Sequence, residues 1–359
     1  MEEKTLITQD SKSSWVPTNP LYDPSKPMQI GGQAVIEGVM MRAPGSVATA
    51  VRRANGDIVV RKEGFISMTE RYKLLKLPIL RGAVGLIDML VLGIKTLNYS
   101  AEVAMIDVDA QESAKKGNGQ SKKKSKGATT ATMVTTLVIA LILGIALFFV
   151  LPIFVTTRVF GFEQDAFAFN LIAGAIRITI LLVYLGAISA MRDIKRLFQF
   201  HGAEHKSVFA FELKSELLPP VVQQHSRFHP RCGTSFLLIV MIVAILSFSV
   251  LDAFLLSVLG KLNMMIRLVT HLPFIPVVGG LSYEVIRFSA KHSATWWGKI
   301  LIATGLWLQR ITTREPDESQ VEVAIVALRC ALGLEDASRY KLKEESATMM
   351  SSAVAAGQD

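Results

Sequence analysis

The sequence predicts a polytopic α-helical membrane protein of about four transmembrane helices, one of them broken, behind a small N-terminal cytoplasmic β-rich module. Three observations lead there. Half of the 359 residues are hydrophobic and the mean hydropathy is +0.38, a composition of mixed membrane character rather than that of a soluble enzyme. Several apolar runs reach the roughly 20 helical residues that cross a bilayer's hydrocarbon. Lysine and arginine gather on one side of those runs, as the positive-inside rule requires of cytoplasmic loops.

Residues 1–27 are polar and hold Pro17, Pro20, Pro24 and Pro27, which predicts a disordered arm. With no apolar core of a secretory signal in the first thirty residues, the later spans are expected to direct insertion. Residues 28–66 form the β module. Gly31 to Arg42 is glycine-punctuated and β-prone, and Val47–Arg53 and Ile58–Lys62 flank Asn55-Gly56, a type I′ hairpin signal. Glu37 and Arg42 in this module are candidate functional residues; a turn carboxylate paired with a nearby base is the plainer reading. Residues 67–109 turn helical. Arg81, Asp88 and Lys95 recur every seven residues in an otherwise apolar stretch, which predicts a helix in the membrane plane or packed on the bundle, not a fifth crossing. Residues 110–130 read as a flexible Lys/Gly/Ser linker.

Residues 131–294 make the transmembrane domain. Met133–Val155 is uncharged, Ala166–Met191 is interrupted only by Arg177, and Ser235–Leu259 carries Asp252 toward its far end. Ile266–Ile286 contains Pro273, Pro276 and Gly279-Gly280, with His271 and Glu284, and reads as a broken or partly re-entrant helix. Lysines from Lys115 to Lys126 precede the first span, and Arg192, Lys195 and Arg196 follow the second. Both termini and the His-rich segment 192–234 are therefore expected in the cytoplasm. The basic balance, +9 overall, reads as topology and attraction to anionic lipids, not nucleic-acid binding. Cys232 and Cys330 then face a reducing compartment, and no structural disulfide is expected. Residues 295–335 hold an interfacial stretch with Trp296, Trp297 and Trp307 and a helix with the apolar stripe Val321, Ala324, Ile325 and Leu328; residues 336–359 read as a disordered tail.

The chemistry is concentrated between the second and third spans. His201, Glu204 and His205 form H-x-x-E-H, and His225, His229 and Cys232 follow within thirty-two residues of His201. Two histidines at i, i+4 on a helix share a face, a spacing that suits a tetrahedral metal, and the interposed glutamate can take a proton from water at that metal. Arg192 to Leu213 is expected to continue the second span as one helix, which places His201 roughly 15 Å beyond Met191. Gly202 weakens that helix and allows a bend. A corner at Pro219-Pro220 would turn the second His pair back on the first. His229 or Glu284 would complete a shell begun by His201 and His205, and Cys232 offers a soft ligand or a neighbouring thiol. The plainer alternative is that these histidines hydrogen-bond locally above lipid headgroups. Arg177 demands an acid or a watery cavity, with Asp252 and Glu284 as possible partners; a structural ion pair is favoured over transport, and Asp252 otherwise reads as facing a loop.

Four blocks, Gly31 to Arg42, Phe200 to Lys206, His229 to Ser235 and Trp307 to Pro316, occur in order and together resemble the YqhQ-like bacterial membrane proteins over about residues 28–335. That family is labelled a domain of unknown function and sometimes a predicted metal-dependent enzyme. The resemblance implies metal dependence, with the suspected ligand block on His201, Glu204, His205, His229 and Cys232.

The leading expectation is a multi-pass inner-membrane hydrolase dependent on a divalent metal, zinc by ligand type, with His201 and His205 on the ion and Glu204 as general base. Its substrate would be a peptide or a lipid-linked molecule reached along the inner leaflet. The alternative is a non-enzymatic scaffold or assembly factor with a structural metal and a cytoplasmic protein partner. Transport, on Arg177, Asp252 and the broken fourth span, is the third reading.

Overall fold

A computed structural model of the chain describes residues 30–116, 126–292 and 295–340; the predicted arm lies outside them. The glycine-punctuated start folds as an antiparallel meander of β1 (Gly31–Val35), β2 (Gly38–Ala43), β3 (Ser46–Arg52) and β4 (Ile58–Gly64), in that order across the sheet. The hairpin at Asn55-Gly56 is present, but only Gly56 has a positive φ there, whereas a type I′ turn needs two such residues. The Gly56 amide instead donates to the Arg53 carbonyl, and the Arg53 amide to the Asp57 carbonyl. This is a longer loop closed by a left-handed glycine.

Among the described residues eight long helices follow. We number them α1 (Leu80–Lys116), α2 (Lys126–Ile145), α3 (Ala166–Ser189), α4 (Arg192–Glu212), α5 (Gly233–Leu259), α6 (Met264–Lys291), α7 (Trp296–Thr312) and α8 (Glu318–Leu332). Among the described residues four stretches are long and apolar enough to cross a membrane: Thr135–Phe160, Ala166–Ser189, Gly233–Leu259 and Met264–Ser289. The first continues α2 through π-helical turns at Ala146–Val150 and Thr156–Phe160 on either side of Leu151–Val155. Pro152 follows the first of them, and that widened turn holds Phe148, whose carbonyl the proline ring would otherwise meet.

The sheet does not close a core of its own. Val39, Met41, Ala48 and Ala50 on one face share a core with Phe200 and Ala203 of α4 and with Val321 and Leu328 of α8. On the other face Val35, Val51 and Val59 meet Tyr99 and Val103 of α1, and Met40 and Val47 meet Leu92. Covered on both sides, β3 is buried along nearly its whole length. For the same reason α8 is buried almost all round rather than along a single stripe, and its start is fixed by a capping box between Asp317 and Gln320.

Several sequence expectations change here. The second span and the His-bearing helix are separate, because Met191 is extended (ψ 139°) and α4 begins afresh at Arg192. α4 runs unbroken through Gly202. The fourth span is one helix, not a broken one. Pro273 and Pro276 lie inside α6, and its two glycines serve contact: a Cβ on Gly280 would lie 2.3 Å from the Ile79 carbonyl, and one on Gly279 2.7 Å from Leu86. The Arg81, Asp88 and Lys95 stripe of α1 docks on protein. Arg81 pairs with Glu284, Asp88 accepts from Ser67 and the Met68 amide, and Lys95 pairs with Glu63. Helix takes up both ends of the expected linker, through Lys116 and from Lys126, while residues 117–125 lie outside the described residues. The tail begins with ordered structure, since Ala337–Tyr340 forms a 3₁₀ turn and the Tyr340 hydroxyl donates to Glu335 at 2.7 Å; residues 341–359 lie outside the described residues.

The close approach of α1 and α6 gives a direct test. Gly280→Ala is expected to destabilise the detergent-solubilised protein by about 1–3 kcal/mol through overpacking. Gly144→Ala, where a Cβ meets nothing within 4 Å, should leave the thermal midpoint unchanged or slightly raised.

Candidate metal centre

α4 carries His201 and His205 one turn apart, with ring centroids 4.4 Å from each other. The chain after α4 turns back through the short helix Pro219–Val222 and returns Cys232 to the same place as the N-cap of α5. One ligand atom from each of His201, His205 and Cys232 lies within 4.8 Å of the other two.

What orients the rings is main chain. His201 Nδ1 is 2.8 Å from the Thr312 carbonyl and His205 Nδ1 is 2.6 Å from the Arg227 carbonyl. A carbonyl only accepts, so Nδ1 carries a proton in both rings, and a neutral ring then holds its lone pair on Nε2. His201 Nε2 faces Cys232 Sγ at 3.2 Å. His205 Nε2 is buried and has no hydrogen-bond partner. Imidazoles that give their outer N–H to a backbone carbonyl are the usual arrangement at a metal, and an orphaned buried nitrogen is costly without one. The donor set fits zinc, two neutral imidazoles and one thiolate leaving a tetrahedral position for water or substrate.

The electrostatics follow from burial. Desolvation, reinforced by His201, pushes the His205 imidazole down to about 2, so it is neutral at every physiological pH. Burial pushes the Cys232 thiol up, while hydrogen bonds from Thr234 and Ser235 pull the other way. Glu204 is 7% exposed and accepts from the Gly32 amide of β1. Burial raises its carboxyl to about 7 against the opposing pull of His201. A carboxyl at that value exchanges a proton readily near neutrality.

Other predicted site residues lie elsewhere. His229 packs 5.7 Å from the His205 ring, but its Nδ1 accepts from the Arg231 amide and its Nε2 faces Glu212 at 3.4 Å. His225 sits in the bend after Pro219–Val222, outside the cluster, and the 225–229 segment is not helical. Glu284 is held by Arg81 in a two-bond pair. Glu37 pairs with Arg196, not Arg42, from a left-handed turn position (φ 51°). Arg42 lies over the Phe65 ring at 4.7 Å. Arg177 has no acidic partner in contact and Asp252 is buried in the bundle rather than facing a loop.

Residues that sequence reasoning missed hold the loops in place. Gln309 of α7 accepts from the His229 amide and donates to the His229 carbonyl, both at 2.8 Å, and also reaches Ser235 at 3.2 Å. Arg227 donates to the Thr313 hydroxyl at 2.9 Å, and buried Lys206 donates to the Gln223 carbonyl at 2.6 Å. Gly202 is where α4 touches the Arg314 main chain: a Cβ there would lie 2.1 Å from the Arg314 carbonyl. A lone amide in the apolar run of α7 was the available signal. Gln309→Leu is expected to cost about 1–3 kcal/mol by leaving these groups unpaired. It should also speed alkylation of Cys232 by iodoacetamide while the fully buried Cys330 stays unreactive; an unchanged Cys232 rate would show that Gln309 does not pin the loop.

The four blocks singled out in the sequence thus meet at one place. β1 supplies the Gly32 amide, α4 the two imidazoles, the 229–235 segment the thiol, and the end of α7 the Thr312 carbonyl. Compared with known proteins, residues 77–334 match the family described as "Protein of unknown function (DUF1385)". The chain is 32% identical over 326 residues to the "Uncharacterized protein YqhQ" of Bacillus subtilis (strain 168), an alignment that covers 88% of this chain and 96% of that relative. No solved structure matches it. The chain belongs to the DUF1385 family, the YqhQ-like proteins.

Proposed function

We propose that this protein is a multi-pass hydrolase of the bacterial inner membrane that depends on a divalent metal, best zinc, with its site on the cytoplasmic face. The observation that carries the reading is the pair of imidazoles whose outer nitrogens are tied to main-chain carbonyls while their inner lone pairs converge with Cys232. Zinc bound there supplies a Lewis acid that polarises a scissile carbonyl or phosphoryl group and makes water a stronger acid. Glu204, between the two histidines, acts as general base: it is fixed by the Gly32 amide and shielded from solvent. The substrate is a peptide or lipid-linked molecule that arrives along the inner leaflet.

The membrane placement rests on the four apolar helices and on the large side chains they expose, such as Leu141, Leu143, Val183, Val250 and Val269. Such faces are stable against lipid and costly in water. Both termini lie in the cytoplasm by the lysine and arginine distribution. The exposed Leu90 and Val91 of α1 and Trp296, Ile300 and Trp307 of α7 rest on the leaflet, where the lysines from Lys115 to Lys126 attract anionic headgroups.

A second reading has its own support. His229 stands beside His205, and a turn away from Glu212 would let it close a four-ligand shell, as a structural metal in a scaffold or assembly factor with a cytoplasmic partner requires.

Elemental analysis with X-ray absorption on purified protein separates the two. The hydrolase reading expects zinc bound by two imidazoles, one sulfur and one light oxygen donor, lost in His205→Ala. It further expects Glu204→Gln to keep the metal and lose turnover on a peptide and phospholipid panel. A third imidazole at the metal in place of oxygen favours the scaffold, and metal-free protein with unaltered behaviour in His205→Ala removes both.

A further inference from the structure

The apolar bundle buries a second polar cluster, away from the His/His/Cys centre. Asp252 of α5, fully buried, is its hub. Its Oδ2 accepts from Arg267 Nε at 2.8 Å and from Asn170 Nδ2 at 2.7 Å, and its Oδ1 accepts from His271 Nε2 at 2.8 Å. Three donors from α3 and α6 thereby occupy the carboxylate. Arg267 also donates to the Glu163 carbonyl at 2.6 Å and lies over the Phe169 ring at 3.5 Å.

Arg177, midway along α3, receives nothing comparable. It is 4% exposed, and Nε, Nη1 and Nη2 all lack a hydrogen-bond partner. Its guanidinium stands over Phe149 at 5.4 Å and over Phe248 at 5.5 Å. Phe248 also stacks flat on His271, with centroids 4.2 Å apart, so the free cation and the hub share one aromatic neighbour. Ring faces offset only part of the cost of burying a charge, and an arginine within apolar helices calls for a counter-charge.

The charge count identifies what is missing. Arg177 and Arg267 bring two positive charges and Asp252 brings one negative. His271, which donates Nε2–H to the carboxylate, is neutral, with a bare Nδ1. These groups therefore sum to one net positive charge, and its uncommitted donors are on Arg177 and at Arg267 Nη1. A guanidinium edge binds a planar carboxylate in fork geometry and a halide as a point charge.

We propose that the bundle holds a small monovalent anion, a halide or a short carboxylate, on the free guanidinium of Arg177 beside the Asp252–Arg267–His271 hub. The anion neutralises the cluster and ties α3 to α5 and α6 in a place where water cannot solvate the charge.

The test is a titration of full-length protein in neutral detergent. Gluconate is exchanged for chloride, or separately for formate, at constant ionic strength, and the thermal midpoint is followed by tryptophan fluorescence. Binding to the folded state raises the midpoint along a saturating curve. The expected result is such a curve for chloride or formate, absent in Arg177→Gln and retained in Arg158→Gln. A flat response to both anions, or an identical curve in Arg177→Gln, overturns the proposal. Should Arg177→Gln not fold, equilibrium dialysis of the unaltered protein with radiolabelled chloride and formate decides: saturable binding of either supports the site, and no binding of either refutes it.

Discussion

Everything at the His/His/Cys centre depends on two bonds from imidazole N–H groups to main-chain carbonyls, those of Arg227 and Thr312. Each fixes the tautomer and rotation of a ring at once, and so commits the opposite nitrogen to the interior. The carbonyls come from segments far apart in the chain. One lies in the return loop after Pro219–Val222 and the other at the end of α7. Thr312 closes α7, while Arg227 lies in irregular chain. The return loop is held by Gln309, Lys206 and Thr313, and the chain leaving α7 lies against α4 because residue 202 has no side chain. Ring geometry is therefore a product of tertiary packing, and any change that shifts α7 against α4 reaches the histidines directly.

The sheet contributes by pressure and by one amide. Its inner face shares a core with α4, α8 and the return segment through Leu217 and Val222, which pins the helix carrying the histidines. Gly32 brings the edge of β1 so near to α4 that a Cβ would lie 2.8 Å from the Glu204 side chain. That approach strips water from the carboxyl and replaces it with one N–H donor, which is why desolvation dominates and the group titrates near neutrality. The strands and the H-x-x-E-H helix pack as one unit although 127 residues of sequence lie between Gly64 and Arg192.

The spans were legible because an apolar run of bilayer length admits few other structures, and the sheet because its strands are short, β-prone and turn-bounded. Prolines misled in α6. Their missing amides are tolerated in a helix clasped by α1 and α5, so packing outweighs propensity there. The break before α4 has no glycine or proline to announce it. His225 and His229 imitate a helical pair in spacing only, since the segment that bears them is irregular and Gln309 binds its backbone. The decisive partners of His201 and His205 are carbonyls, which no residue type encodes. Arg267 was overlooked because its partner Asp252 is in the preceding helix, and Asp252 by itself read as a loop acid.

Cys232 connects the two halves of the molecule. It caps α5, accepting from the Thr234 amide at 3.4 Å, while its sulfur faces His201. A helix N-terminus favours a negatively charged sulfur, yet burial opposes one. Burial prevails, and the proton stays on the sulfur beside the His201 nitrogen. The first turn of α5, an apolar helix whose neighbours α3 and α6 meet it around Asp252, thus begins at a sulfur held by Thr234 and facing His201. Because Cys232 opens α5, the packing of α5 against α3, α6 and α7 sets where the sulfur stands relative to the two imidazoles.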